Sequence, residues 1–272
     1  MPLFLVHPAG GGVKAYHELA KHLDAEQPVS AFQSHIFGSH ETNPYLSIEQ
    51  MATCYVDALQ KARPVFPYVL SGWSMGGVVA FEMALQLTAR NQPAPLVVML
   101  DSYARTVVNF DSEYRRSRYL EDLILIGTAI ALADGKDFRL SRNDLQGLSM
   151  EDQFSHFSQT LRKQEILTDD IDDRALRAVL TVFDNSDRAM ANYVPRTYPG
   201  KVAVLRARES LPGMTKAAHE LSNDPTLGWQ FYCSQIVDVH SVPGNHMRIM
   251  TPPYIRALGR SLQSCIDEAS KD

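Results

Sequence analysis

Apolar residues recur along this chain with two different periods. Short runs that are apolar on both faces read as strands of a sheet covered on each side: Leu3–Val6, Val29–Phe32, Tyr68–Ser71, Leu96–Leu100, Val202–Arg206 and Ile236–Val242. Between them the period becomes that of amphipathic helices, over Ser47–Ala62, Val78–Arg90 and Pro253–Ala269. Ser47 with Gln50 three residues later makes a capping box for the first of these. Pro252 and Pro253 suit the start of the last, where a missing N–H costs little. Strands alternating with helices predict an α/β fold, a doubly wound and mostly parallel sheet with flanking helices.

The alternation stops from about Val107 to Ala191. No strand pattern occurs there, only helical patterning over Tyr119–Ala133, Leu145–Leu167 and Arg174–Tyr193. The chain therefore divides into an α/β core of residues 1–106 and 192–272 and an all-helical insertion of residues 107–191. An insertion between two strands reads as a lid over the strand ends; a plain helical layer without a binding role is the alternative. The chain opens directly on a core strand at Leu3, which fits a domain of a longer polypeptide.

Composition removes several classes of function. A chain of 272 residues fits one large α/β domain, or one domain with an insertion. A formal charge of −5, with no basic stripe, argues against nucleic acid as a partner. The longest strongly apolar stretch, Leu123–Ala133, is too short for a bilayer, which needs about 20 residues. No charged-then-apolar leader precedes Leu3, so a cytoplasmic location is expected and no membrane is involved. Cys54, Cys233 and Cys265 are odd in number and far apart, without metal-ligand spacing. They read as buried or half-buried thiols in a reducing cytosol, and no metal is expected. The mild charge and single core fit a monomer, and Leu211-Pro212-Gly213-Met214 marks a loop without an assignable purpose.

The chemistry concentrates at Gly72-Trp73-Ser74-Met75-Gly76-Gly77, between an apolar strand and an apolar helix. A strand–turn–helix of this tightness forces unusual backbone angles on Ser74 and admits only small neighbours. It holds the Ser74 hydroxyl clear of the backbone, above a helix N-terminus with free N–H groups. Serine near neutral pH needs a base, and the base needs an orienting acid. His246, in Val242-Pro243-Gly244-Asn245-His246, follows the last strand and lies at the same sheet edge as Ser74. His17, His22, His35, His40, His156 and His219 occupy no strand end, and His240 lies within a strand. Two acids compete. Asp101 ends the strand Leu96–Leu100, whereas Glu209 follows Val202–Arg206 in a loop where Arg206 or Arg208 could pair with it. Asp101 is favoured, because a carboxylate at a buried strand end needs a hydrogen-bonding partner such as an imidazole. Two backbone N–H groups, those of Met75 and Ala9, are expected to form an oxyanion hole, Ala9 lying in the loop His7-Pro8-Ala9-Gly10-Gly11-Gly12. That loop lacks the Lys-Ser/Thr ending of a phosphate-binding loop and the spacing of a dinucleotide fingerprint.

Together, Phe4-Leu5-Val6-His7-Pro8-Ala9-Gly10-Gly11, the Ser74 turn, Leu100-Asp101-Ser102-Tyr103 and Val242-Pro243-Gly244-Asn245-His246 resemble the thioesterase domains that end nonribosomal peptide and polyketide synthases. These motifs span nearly the whole chain in the family's order. The resemblance implies an α/β-hydrolase with a helical lid, of the chain-terminating type I, whose acid sits where Asp101 stands; stand-alone type II members typically place it after the later strand. It further implies that Ser74 accepts an acyl or peptidyl chain from the phosphopantetheine arm of an acyl or peptidyl carrier protein, upstream in the same polypeptide, and that no cofactor is bound. His246 would be the base, and Asp101 would fix its tautomer. Release would be by water, giving an acid, or by an internal amine or hydroxyl, giving a macrocycle. The lid's apolar interior, including Leu120, Leu123, Ile124 and Ile130, would bias that contest, although the same four also read as ordinary packing. A free-standing esterase or lipase, and a non-catalytic hydrolase-fold binding protein, are the rival readings.

Overall fold

All six apolar runs form strands: β1 Leu3–Val6, β2 Val29–Phe32, β3 Val69–Trp73, β4 Leu96–Leu100, β5 Val202–Ala207 and β6 Asp238–Val242. The computed structural model describes residues 1–34, 47–63, 66–104, 112–133, 135–168, 171–210 and 222–271. His35, His40, Val107, His219 and the loop Leu211–Met214 lie outside these. β6 starts later than the apolar pattern suggests. Ile236 is 90% exposed, and the Val237 N–H donates to the Gln230 side chain rather than to a neighbouring strand.

The strands run parallel in the order β2-β1-β3-β4-β5-β6. Chain progression therefore reverses between β1 and β3, whose registers pair Leu3 with Val69 and Val6 with Gly72. In such sheets the carboxyl ends of the strands flanking the reversal open a crevice, which is where ligands bind. The loops carrying His7–Gly12 and Ser74 leave from those two ends. β1, β3 and β4 are almost wholly buried, as residues apolar on both faces require.

Helix α1 (Lys14–Ala20) escapes the sequence pattern: seven residues with only Tyr16 and Leu19 buried are too few to establish a period. α2 (Ile48–Ala62) begins at Ser47, whose hydroxyl accepts the Gln50 N–H at 3.2 Å. α3 (Met75–Ala89) starts three residues before the apolar run suggests, its first turn being disguised by Gly76 and Gly77. The last helix, α8 (Ile255–Ala269), begins two residues beyond Pro253.

The chain forms two compact units, Met1–Val107 with Asn185–Asp272, and Val108–Asp184. The second contains α4 (Ser112–Ala133), α5 (Arg142–Leu145), α6 (Met150–Lys163) and most of α7 (Asp173–Asn192). The single helix expected over Leu145–Leu167 is broken. Gly147 at φ 85° separates α5 from α6, and Ser149 caps α6 by accepting the Asp152 N–H at 3.2 Å. This unit has its own core, in which Leu123, Leu145, Phe157 and Leu161 are fully buried. Arg177 lies 3.7 Å over the Phe154 ring and Arg162 pairs with Asp173 at 3.0 Å. No helix among the described residues is long and apolar enough to cross a membrane.

Candidate active site

Ser74 stands between β3 and α3 at φ 57°, ψ −125°, a conformation that non-glycine residues rarely adopt. The glycines around it are fixed by space. A Cβ on Gly72 would lie 2.2 Å from the Gly76 carbonyl carbon, one on Gly76 2.1 Å from the Val6 oxygen, and one on Gly77 2.2 Å from Ser102 Oγ. The turn is tied down on both sides. The Ser74 N–H donates to the Leu100 carbonyl at 3.0 Å, and the Trp73 N–H donates to Tyr16 Oη at 2.9 Å. Tyr16 in turn donates to the Val6 carbonyl at 2.6 Å, so one buried phenol bridges the ends of β1 and β3. Burial pushes its pKa well above the ordinary range, so it remains a donor.

Asp101, at the end of β4, is 2% exposed and also has positive φ, 48°. Its Oδ1 accepts the Ala207 N–H at 2.7 Å, and its Oδ2 faces His246 Nδ1 at 2.8 Å. Burial, reinforced by the neighbouring Asp101 carboxylate, pushes the Tyr103 phenol up to about 12. His246 lies on the loop after β6. Gly244 turns at φ 97°, and Asn245 Oδ1 accepts the N–H groups of Met247 and Arg248 at 3.2 and 3.1 Å. The indole N–H of Trp73 donates to the His246 carbonyl at 3.0 Å, and the two rings lie 5.3 Å apart. The residue before Ser74 thus anchors the histidine loop. With Nδ1 bonded to a carboxylate, His246 keeps Nε2 to accept a proton.

Glu209 is exposed, and Arg206 donates to the Ser222 and Asp224 carbonyls rather than to it. The structure brings His246 to Asp101, the favoured acid. Among the described residues the N–H groups of Ala9 and Met75 have no protein acceptor. Ala9 is buried, while a Cβ on Gly10 or Gly12 would meet nothing within 4 Å. Leu120 and Leu123 lie in the core of the helical unit, with Ile124 and Ile130 half-buried against it.

His17 and His156 are exposed, and His22 lies 3.6 Å from Glu18. His240 Nε2 meets Asp238 at 2.6 Å and the Cys265 thiol at 3.6 Å, a hydrogen-bonded set between β6 and α8. Cys233 and Cys265 are buried as expected, but Cys54 is exposed, lying on the outer face of α2. Tyr16 and Ser186 escape sequence reasoning, since their acceptors are the Val6 and Ala9 carbonyls, which no side-chain pattern marks.

A parallel sheet with flanking helices, and a serine on the sharp turn after its third strand, is the architecture of an α/β-hydrolase. The thioesterase-domain family matches residues 1–262, and the chain belongs to that family. It is 29% identical over 98% of its length to chondramide synthase of Chondromyces crocatus, of which it covers 7%. The chain spans between 4% and 10% of the first three curated relatives it matches. Among solved structures it is similar to a four-domain nonribosomal peptide synthetase bound to AMP and glycine, with a TM-score of 0.81 and 25% identity, over 97% of this chain and 19% of the other. The NocB thioesterase domain, in covalent complex with a fluorophosphonate nocardicin G analogue, shares the fold with a TM-score of 0.63 and 23% identity, over 97% and 94% of the two chains.

Proposed function

We propose that this domain releases an acyl or peptidyl chain from the phosphopantetheine thioester of a carrier protein through an ester on Ser74. The observation that carries the reading is the Asp101–His246 hydrogen bond, on a loop anchored by the residue next to a serine held at positive φ. Similarity to multidomain synthetases supports a carrier partner in the same polypeptide.

His246 Nε2 takes the Ser74 proton as Oγ attacks the thioester carbon. The carbonyl oxygen becomes an oxyanion held by the Met75 and Ala9 N–H groups. Asp101 keeps Nδ1 protonated and stabilises the imidazolium. The C–S bond then breaks, and the pantetheine sulfur leaves as a thiol with the proton from His246. Water, deprotonated by the same imidazole, converts the ester to a free acid and regenerates Ser74; an internal amine or hydroxyl would instead give a ring. The helical unit Val108–Asp184 is assigned the lid role. Of the four apolar residues expected in its interior, Leu120 and Leu123 are packed in the unit's own core, whereas Ile124 and Ile130 are only partly buried.

Intact-protein mass spectrometry after mixing with an acyl-pantetheine thioester tests this directly. The parent is expected to gain the acyl mass and then release acid or ring, and Ser74→Ala to gain nothing. If the parent forms no adduct and consumes no thioester, the reading is wrong.

A further inference from the structure

We propose that His7 is the positioning residue of the oxyanion loop: clamped by Tyr55, it fixes the Pro8 carbonyl and thereby aims the Ala9 N–H. This rests on the reading of Ala9 as an oxyanion donor. His7 ends β1 and is 1% exposed. Its Nδ1 lies 2.8 Å from the Pro8 carbonyl oxygen, which can only accept, so Nδ1 carries the proton. In the neutral ring Nε2 is then an acceptor, and it takes the Tyr55 hydroxyl at 2.6 Å. Tyr55 is itself fixed, 6% exposed on α2, stacked on Phe32 at 5.0 Å and edge-on to His7 at 5.7 Å.

The consequence lies in the peptide plane. In a trans peptide the C=O and the following N–H point in opposite directions. The Pro8 carbonyl is held by two donors, His7 Nδ1 and the Gly11 N–H at 2.8 Å, so the Ala9 N–H must point away from them. The next peptide is fastened too, since Ser186 Oγ donates to the Ala9 carbonyl at 2.9 Å. A leucine at position 7 would fill the volume yet leave the carbonyl with one donor. The plane could then tilt, and an oxyanion donor acts only when aimed to within a few tenths of an ångström. Asparagine is the informative replacement, because its Nδ2 can stand where Nδ1 stands while leaving Tyr55 unreached.

The test measures kcat and KM separately for acyl-pantetheine hydrolysis, and the rate of Ser74 phosphonylation by a fluorophosphonate, on the parent, His7→Leu, His7→Asn and Tyr55→Phe. Thermal melts accompany each. An oxyanion contact is made only in the transition state, so its loss lowers kcat and spares KM. His7→Leu is expected to lose about 10- to 100-fold in kcat with KM within about twofold, and phosphonylation to slow in parallel. His7→Asn should recover most of that rate, and Tyr55→Phe should lose several-fold. Unchanged kcat in His7→Leu overturns the proposal, as does a His7→Asn variant as impaired as His7→Leu or a loss expressed in KM. Should His7→Leu not fold, the other two variants decide the matter by the same measurements. A parent that is phosphonylated but turns over no thioester refutes the thioesterase reading, while the labelling rates still test His7.

Discussion

Asp101 divides its two oxygens between two neighbours that need different things. Oδ1 accepts the Ala207 N–H of β5, a structural bond that an amide oxygen could also make. Oδ2 accepts from His246 Nδ1, and there only an acceptor keeps the proton on the correct nitrogen. In Asp101→Asn the amide oxygen is expected to stay on Ala207, which turns the NH2 group toward the imidazole and favours the wrong tautomer. The fold should survive while kcat for thioester hydrolysis drops by about 10³–10⁴-fold at neutral pH. Circular dichroism beside steady-state kinetics checks this, and a loss of tenfold or less would show that His246 does not depend on this partner. Asp101 was legible in the sequence because it stands at the end of an apolar strand, where an ionisable side chain has few reasons to exist, and His246 because it follows the last strand on a Pro-Gly loop at the same sheet edge as Ser74. Tyr16 and Ser186 were not legible, since each bonds a carbonyl that only tertiary packing brings near.

The turn between β3 and α3 illustrates why elements could be read more surely than their ends. The bounds of β1 and β4 follow from the apolar runs alone, because strands buried on both faces tolerate little else. The start of α3 did not, since Gly76 and Gly77 look like helix breakers and are there for clearance instead. A Cβ on Gly76 would press 2.1 Å from the Val6 oxygen and 2.9 Å from that of His7, both backbone atoms of a central strand and its loop. Neither can move without shifting β1, so Gly76→Ala should cost about 3 kcal/mol or more and lower the melting temperature by roughly 6–12 °C. Gly10→Ala makes the control, since its Cβ meets nothing within 4 Å; stability should change by less than about 1 kcal/mol. Calorimetry on the two variants distinguishes clearance from a general intolerance of side chains in these loops. The division of the helical segment into α5 and α6 was hidden for a related reason. Gly147 and the Ser149 cap interrupt an apolar period that continues across them almost unbroken.

The molecule as a whole keeps several weak acids neutral inside it, and this sets how it responds to base. Burial pushes the Cys265 thiol from its ordinary value near 9 up to about 12, with the Asp238 and Glu268 carboxylates adding to the shift, and burial pushes Cys233 up to about 11. The phenols of Tyr193 and Tyr198 are displaced upward as well, mainly by burial. A raised folded pKa means that below about pH 9 both thiols are protonated in the folded and unfolded states alike, and stability is independent of them. Above that value the unfolded chain releases protons that the folded chain retains, so stability falls as pH rises toward the folded values. The urea midpoint should therefore be flat from pH 7 to 8.5 and decline by pH 10.5. Each thiol contributes at most about 1.4 kcal/mol per pH unit to that fall. Cys265→Ala removes one contributor. It should be less stable than the parent at pH 7, because it leaves a cavity, yet lose less between pH 8.5 and 10.5. Parallel declines in the two proteins would place the alkaline sensitivity on the phenols. A shallower decline in the variant would show that the buried thiol between β6 and α8 is held protonated by the fold.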